Sequence, residues 1–161
     1  KGTFYQYFDT KEALLQALLA EGLTTLLNRT IEAVGHTPPG PQAVSQIVQA
    51  HLDFYLENPE YLLLFHQVRG LLQLTIESAK GLREVYDEYL TRLGAVLRQG
   101  LNGQGEAGPS GRKLALALSA FSTGLLTYHL VFDRSGDFKH QRQQIQQELE
   151  HSIRAILSSA D

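Results

Sequence analysis

Apolar residues along this chain return at the spacing of a helix almost from end to end. Over residues 10–34, Leu14, Leu18, Leu23, Leu26, Leu27, Ile31 and Val34 follow one another at steps of three to five. Residues 43–57 repeat the pattern with Val44, Ile47, Val48, His51, Leu52 and Tyr55. Residues 80–98 do so with Leu82, Val85, Tyr86, Tyr89, Leu93, Val96 and Leu97, while Arg83, Asp87, Glu88 and Arg92 occupy the other side. Each pattern predicts an amphipathic helix with one buried face. Residues 61–72 (YLLLFHQVRGLL) and 114–132 (LALALSAFSTGLLTYHLVF) are apolar nearly all round and are expected as central helices. Residues 139–157 are Gln-rich and polar apart from a narrow seam at Ile145, Leu149, Ile153 and Ile156. No period-two alternation is evident. The expected fold is all-α, with about six helices.

The breaks are few. Gly35 to Pro41 (GHTPPGP) reads as a connector, and Asn58-Pro59 interrupts a run that is otherwise helical on both sides. Gly100 to Gly111 (GLNGQGEAGPSG) reads as a flexible loop and Asp133 to Asp137 as a short turn.

Composition narrows the chemistry. With no cysteine among 161 residues, disulfides, thiolate catalysis and sulfur-ligated zinc are excluded. No apolar run approaches a membrane span and no secretory signal opens the sequence, so the expected compartment is the cytoplasm, with no membrane partner. The 14 Lys and Arg against 17 Asp and Glu leave a net charge of −3, which argues against non-specific nucleic-acid binding by these residues alone. The first residue is Lys1 and there is no methionine, so the sequence is expected to be a fragment. Catalytic motifs are lacking: there is no His-Glu-x-x-His, no phosphate-binding Gly-rich loop and no Gly-x-Ser-x-Gly elbow. Glu148 and His151 form half of a di-iron Glu-x-x-His signature, echoed only by Asp137 with His140, and a solvated surface explains them better. No enzyme, metal or cofactor is expected.

The opening residues, KGTFYQYFDTKEALL, carry more. Asp9 and Glu12 fit a capping box, which starts a helix near Thr10. Phe4 and Phe8 are four apart and share a face, leaving Thr3, Tyr5, Gln6 and Tyr7 towards the outside. Hydroxyls and lysines suit phosphate oxygens, and Lys11 lies in a first helical turn that already favours an anion. The alternative is that the aromatics pack this segment against helix 10–34. With Lys1, Gly2, Thr3, Phe4, Tyr5, Gln6, Tyr7, Phe8, Lys11, Glu12, Leu14 and Leu15 in register, the stretch resembles the end of the helix-turn-helix of TetR-family transcriptional regulators.

That resemblance implies a division at about residue 35. Residues 1–35 would hold the remnant of a helix-turn-helix DNA-binding domain, with residues 1–8 as recognition helix, plus the connecting helix; the first two head helices would lie upstream. Lys1, Thr3 and Gln6 would approach base edges or nearby backbone, and Tyr5, Tyr7 and Lys11 would bind phosphates. Residues 36–161 would form an effector-binding and dimerisation domain. Its pocket would draw on His51, Tyr55, Phe65, His66, Arg69, Tyr86, Tyr89, Phe121 and Tyr128, polar or aromatic groups on largely apolar faces. Taken singly, each polar one also suits a satisfied core or boundary position. Arg69, four residues after Phe65, would either bury its stem beside the apolar stripe or meet an anionic group of the effector.

Two helices would pair with a second subunit. Small residues Ala117, Ala120 and Gly124 permit close approach, and Ile145, Leu149, Ile153 and Ile156 form a seam narrow enough for a bundle contact. The partners implied are operator DNA, a small apolar or amphipathic effector and a second copy of the chain. A helical dimer that binds small molecules or proteins without acting on DNA remains the alternative.

Overall fold

Thr10 turns the chain into the first helix: its extended backbone places Oγ1 3.0 Å from the Ala13 amide, which donates to it. The cap is therefore Thr10 rather than Asp9, because a threonine hydroxyl at this position already satisfies one of the four amides that a helix start leaves open. The computed structural model describes residues 10–72, 79–102, 111–132 and 138–158. Among them run six α-helices and no strands: α1 (Lys11–Gly35), α2 (Pro41–Glu57), α3 (Pro59–Leu72), α4 (Lys80–Asn102), α5 (Gly111–Phe132) and α6 (Phe138–Ser158). The all-α architecture expected from the spacing is present.

The connectors follow from their residues. Thr37 closes α1 by bonding back to the carbonyls of Ala33 and Val34, each at 3.0 Å. Gly40 then adopts φ 129°, a conformation that side chains disfavour, and Pro41 opens α2 at a position where its missing N–H costs nothing. Asn58 ends α2 with its side-chain amide 2.8 Å from the Phe54 carbonyl, and its own carbonyl accepts from the Tyr61 amide at the start of α3. The ends of one expected loop are helical. Gly100 to Asn102 continue α4, because Gly100 is buried on Val34 and Ala43 and its carbonyl accepts the Gly40 amide at 2.9 Å.

The core is assembled from every helix. Leu19, Leu23, Leu26 and Leu27 of α1 pack with Ile47, Leu52 and Phe54 of α2, with Leu62 and Phe65 of α3 and with Leu93 of α4. Ile31, expected on the buried face of α1, is 42% exposed, because that face runs through Leu27, Thr30 and Val34 and turns Ile31 towards the outside. Arg29 ties the outer ends of α1 and α2 together through Glu57 at 2.6 Å, with its guanidinium 5.7 Å above the Phe54 ring. The α4–α5 crossing is close enough that a Cβ on Gly94 would stand 2.5 Å from the Gly111 carbonyl carbon.

The two helices that read as central are only partly so. Leu63 on α3 is 46% exposed, as are Leu116 (44%) and Tyr128 (58%) on α5. With Ala120 and Gly124, which are also exposed, Leu116 and Tyr128 form a stripe spaced by four along one outer face of α5. The α6 seam does the opposite. Ile145, Leu149 and Ile153 are buried within this one chain, where α6 lies against α2 and α5. Polar contacts flank that packing: Arg142 pairs with Asp53, and Ser45 donates to Glu150 at 2.9 Å.

Candidate ligand-binding site

Burying a hydroxyl in an apolar bundle is costly, so the polar groups inside this one locate its chemistry. The spacing of four on α2 puts His51 and Tyr55 on one buried face, 0% and 3% exposed. Phe65 of α3 meets the Tyr55 ring edge-on at 6.0 Å. From α4 come Tyr86 and Tyr89, whose rings lie 6.1 Å apart, and from α3 comes the half-buried Arg69. Tyr86 and Arg69 lie near enough to Tyr55 and Tyr89 to influence the ionisation of those two phenols. Helix α5 closes the cluster with Ser119, Ser122 and Thr123, all at least 95% buried.

Hydrogen bonds organise part of this cluster. Arg69 donates to the Thr123 hydroxyl, which in turn donates to the Ser119 carbonyl at 2.6 Å. The Tyr86 and Ser119 hydroxyls share a bond of 3.0 Å. His51 bonds through Nδ1 to the Ile47 carbonyl at 2.9 Å. Other groups are left over: among the described residues His51 Nε2, Tyr89 Oη and Ser122 Oγ, and further along α5 Thr127 Oγ1 and His129 Nε2, are buried with no hydrogen-bond partner. Most buried polar atoms in proteins are satisfied, so each of these calls for a partner that the chain itself does not supply.

Burial sets the protonation of the cluster. It pushes the His51 imidazole down to about 4, with the Ile47 carbonyl opposing only weakly. It pushes the Tyr55 and Tyr89 phenols up, neighbouring phenols add to this, and the Arg69 charge works against it. Near neutral pH the site thus holds a neutral His51 imidazole and the protonated Tyr55 and Tyr89 phenols beside the half-buried Arg69.

Most of the expected pocket residues gather here: Tyr55, Phe65, Arg69, Tyr86 and Tyr89 come together, and His51 shares the Tyr55 face. Phe121 is half-buried against the core. Two do not belong. His66 is exposed, because it sits one residue past Phe65 and so turns away from the buried Leu62, Phe65 and Val68. Tyr128 is 58% exposed, with its ring edge-on to His129 at 5.8 Å. The sequence reading missed Ser119, Ser122 and Thr123, although hydroxyls at steps of three and four within an apolar helix are a visible signal.

The residues expected to face DNA, Lys1, Thr3, Tyr5, Gln6 and Tyr7, lie outside the described residues; Lys11, expected with them, is exposed at the first position of α1. Of the expected subunit contacts, Ala120 and Gly124 are exposed and Ala117 is half-buried, whereas Ile145, Leu149 and Ile153 serve the core of their own chain. Ile145 and Leu149 are fully buried and Ile153 is 9% exposed, which leaves little surface for a second subunit, so these three are corrected to core positions. The Ile156 side chain is outside the described residues.

Beside the cluster, a surface groove of about 600 Å³ runs over Leu72, Arg83, Tyr86, Asp87, Leu90 and Arg112. Tyr86 belongs to both, its ring lining the groove and its hydroxyl reaching Ser119. Elsewhere, Glu148 lies 3.7 Å from His129 Nε2 and accepts from Gln144 at 3.0 Å, while His151 is exposed. Among the described residues no three His, Asp or Glu side chains gather to hold a metal, and no helix is long and apolar enough to cross a membrane. No protein-family model and no curated protein matches this chain.

Proposed function

We propose that this chain is the effector-binding body, with a remnant of the DNA-reading head, of a TetR-like transcriptional regulator. In this reading it is a repressor that leaves its operator when a small apolar or amphipathic effector occupies the core cluster. The observation that carries it is the set of buried polar atoms without protein partners inside an otherwise apolar helical body. A site lined by apolar and aromatic groups with a few unmet polar ones is how small-molecule recognition is built. The residues at the start of the chain that resemble a recognition helix give the DNA side of the reading.

Helix α1 links the two. Its first turn carries Lys11, and its later leucines pack into the body against α2 and α4. An effector that binds one arrangement of the body better shifts the population by its differential affinity, typically about 1–3 kcal/mol between coupled sites. The second subunit in this proposal is another copy of the chain, seated on the exposed α5 stripe of Leu116, Ala120, Gly124 and Tyr128. A two-fold pair of bodies presents two heads to symmetric half-sites.

The test is a mobility-shift titration of the full-length gene product on DNA from upstream of its own gene, with and without compounds that thermally stabilise it. Retarded DNA that is released by a stabilising compound supports the proposal. Full-length protein without DNA affinity rejects it in favour of a dimeric binding module.

A further inference from the structure

The His51–Ile47 bond fixes more than the ring's orientation. A backbone carbonyl only accepts hydrogen bonds, so His51 Nδ1 carries the proton. A neutral imidazole has one N–H, and Nε2 is therefore a bare lone pair. Burial holds the ring in that neutral form. The lone pair is itself buried and meets no protein donor. Of the hydroxyls in the cluster, Tyr86 is engaged with Ser119, and Thr123 with Arg69 and the Ser119 carbonyl.

We infer that the core site takes an apolar ligand bearing an alcohol, phenol or N–H donor, and that His51 Nε2 accepts that donor's hydrogen bond. This rests on the reading of the cluster as an effector site and specifies the class of effector. A ligand offering only ether or carbonyl oxygens turns lone pairs towards a lone pair and leaves Nε2 unmet. The unpartnered Tyr89 phenol and Ser122 hydroxyl, each able to donate or accept, supply further contacts that either kind of ligand can use. The donor preference belongs to His51 alone. Tyr86 lines the surface groove and bonds Ser119, so the groove borders the cluster on that side.

The test uses this chain with ¹⁵N-labelled histidine and a matched pair of probes, 4-propylphenol and its methyl ether 4-propylanisole. Without probe, His51 is expected to show a protonated Nδ1 and a pyridine-type Nε2. With 4-propylphenol the Nε2 resonance moves upfield as it accepts a hydrogen bond, and with 4-propylanisole it does not. Calorimetry is expected to favour the phenol by about tenfold, the upper range for one net hydrogen bond. His51→Gln, which places an acceptor oxygen near the same point, keeps a preference; His51→Leu binds both probes equally. The NMR titration of the unmodified chain stands even where His51→Leu fails to fold.

An Nε2 resonance that stays fixed at saturating phenol overturns the inference, as does one already hydrogen-bonded before any probe is added, which would mark a resident water. Equal binding of the two probes also overturns it while leaving the core a ligand site. Binding of neither, with no His51 response, removes both the inference and the core cluster as the place of effector binding.

Discussion

Tyr86 of α4 and Ser119 of α5 meet hydroxyl to hydroxyl across 3.0 Å, where the surface groove gives way to the buried core. The bond fastens α4 to α5 beside that groove. Ser119 is 5% exposed, so removing its partner strands an oxygen that water scarcely reaches. Tyr86→Phe is therefore expected to cost about 1–2 kcal/mol, and Ser119→Ala a similar amount. The double variant should cost less than the sum, because the second change removes the group that the first left unpaired. Urea unfolding of the four proteins gives the coupling; strictly additive effects would mean that the hydroxyl pair contributes no net stability.

His51 predicts a particular acid weakness. Its folded value lies near 4 against an ordinary 6.5. Between these pH values the unfolded chain takes up a proton that the folded chain refuses, so stability falls as the pH falls. The contribution is complete above about pH 6.5, shrinks on acidification and levels off below about pH 4. Its full size is about 3 kcal/mol, since each tenfold loss of proton affinity corresponds to about 1.4 kcal/mol. Carboxylates protonate over part of the same window, so the informative quantity is the difference between the parent chain and His51→Gln. Parallel stability curves for the two proteins from pH 7 to pH 4 would contradict the neutral, buried imidazole.

Gly94 marks the crossing of α4 and α5. An alanine Cβ there would lie 2.5–2.7 Å from Gly111 and Arg112 backbone atoms, and a helix backbone cannot step aside as a side chain can. Gly94→Ala gains the better helix former but forces the helices apart, for an expected net loss of about 2–3 kcal/mol. Since α4 carries Tyr86 and Tyr89 and α5 carries Ser119 and Ser122, the same change should also weaken probe binding in the cluster. Thermal melting with and without 4-propylphenol reads both effects. An unchanged or higher melting temperature would mean that the crossing is looser than this.

Helical spacing makes all six helices legible, because a buried face leaves a period in the sequence wherever one side of a helix meets water. It fails where that contrast is weak. In α3 and α5 apolar residues surround the helix, and nothing local distinguishes Leu118, which is buried, from Leu116, which is not. His66 and Tyr128 fall among the expected pocket residues for the same reason. In α6 the narrow seam is a true signal of helix packing, but a seam does not say whether its partner helix belongs to the same chain. The Gly100 end of α4 is hidden because glycine signals a break unless a close neighbour, here Val34, explains it. The cluster itself is partly legible, since tyrosines and a histidine on apolar faces are conspicuous. Its unmet atoms are not, because which hydroxyl finds a partner depends on the crossing of helices distant in sequence.

The α5 and α6 assignments make opposite predictions for assembly. If the second copy seats on the α5 stripe, Ala120→Arg places a long charged side chain at the centre of the contact and should separate the subunits. In the single chain Ala120 is exposed, so the variant's own fold should lose no more than about 0.5 kcal/mol. Gly124→Ala is gentler: a Cβ there meets nothing within 4 Å, so it should firm the helix by up to about 1 kcal/mol while spoiling a close helix approach. Ile153→Lys is the contrast. Ile153 is 9% exposed and packs in the core of its own chain, so a lysine there should unfold the protein rather than dissociate it. Sedimentation equilibrium gives the mass and circular dichroism the fold. A folded monomer from Ala120→Arg alongside an unfolded Ile153→Lys would place the subunit contact on α5. A folded dimer from Ala120→Arg would move it to another surface.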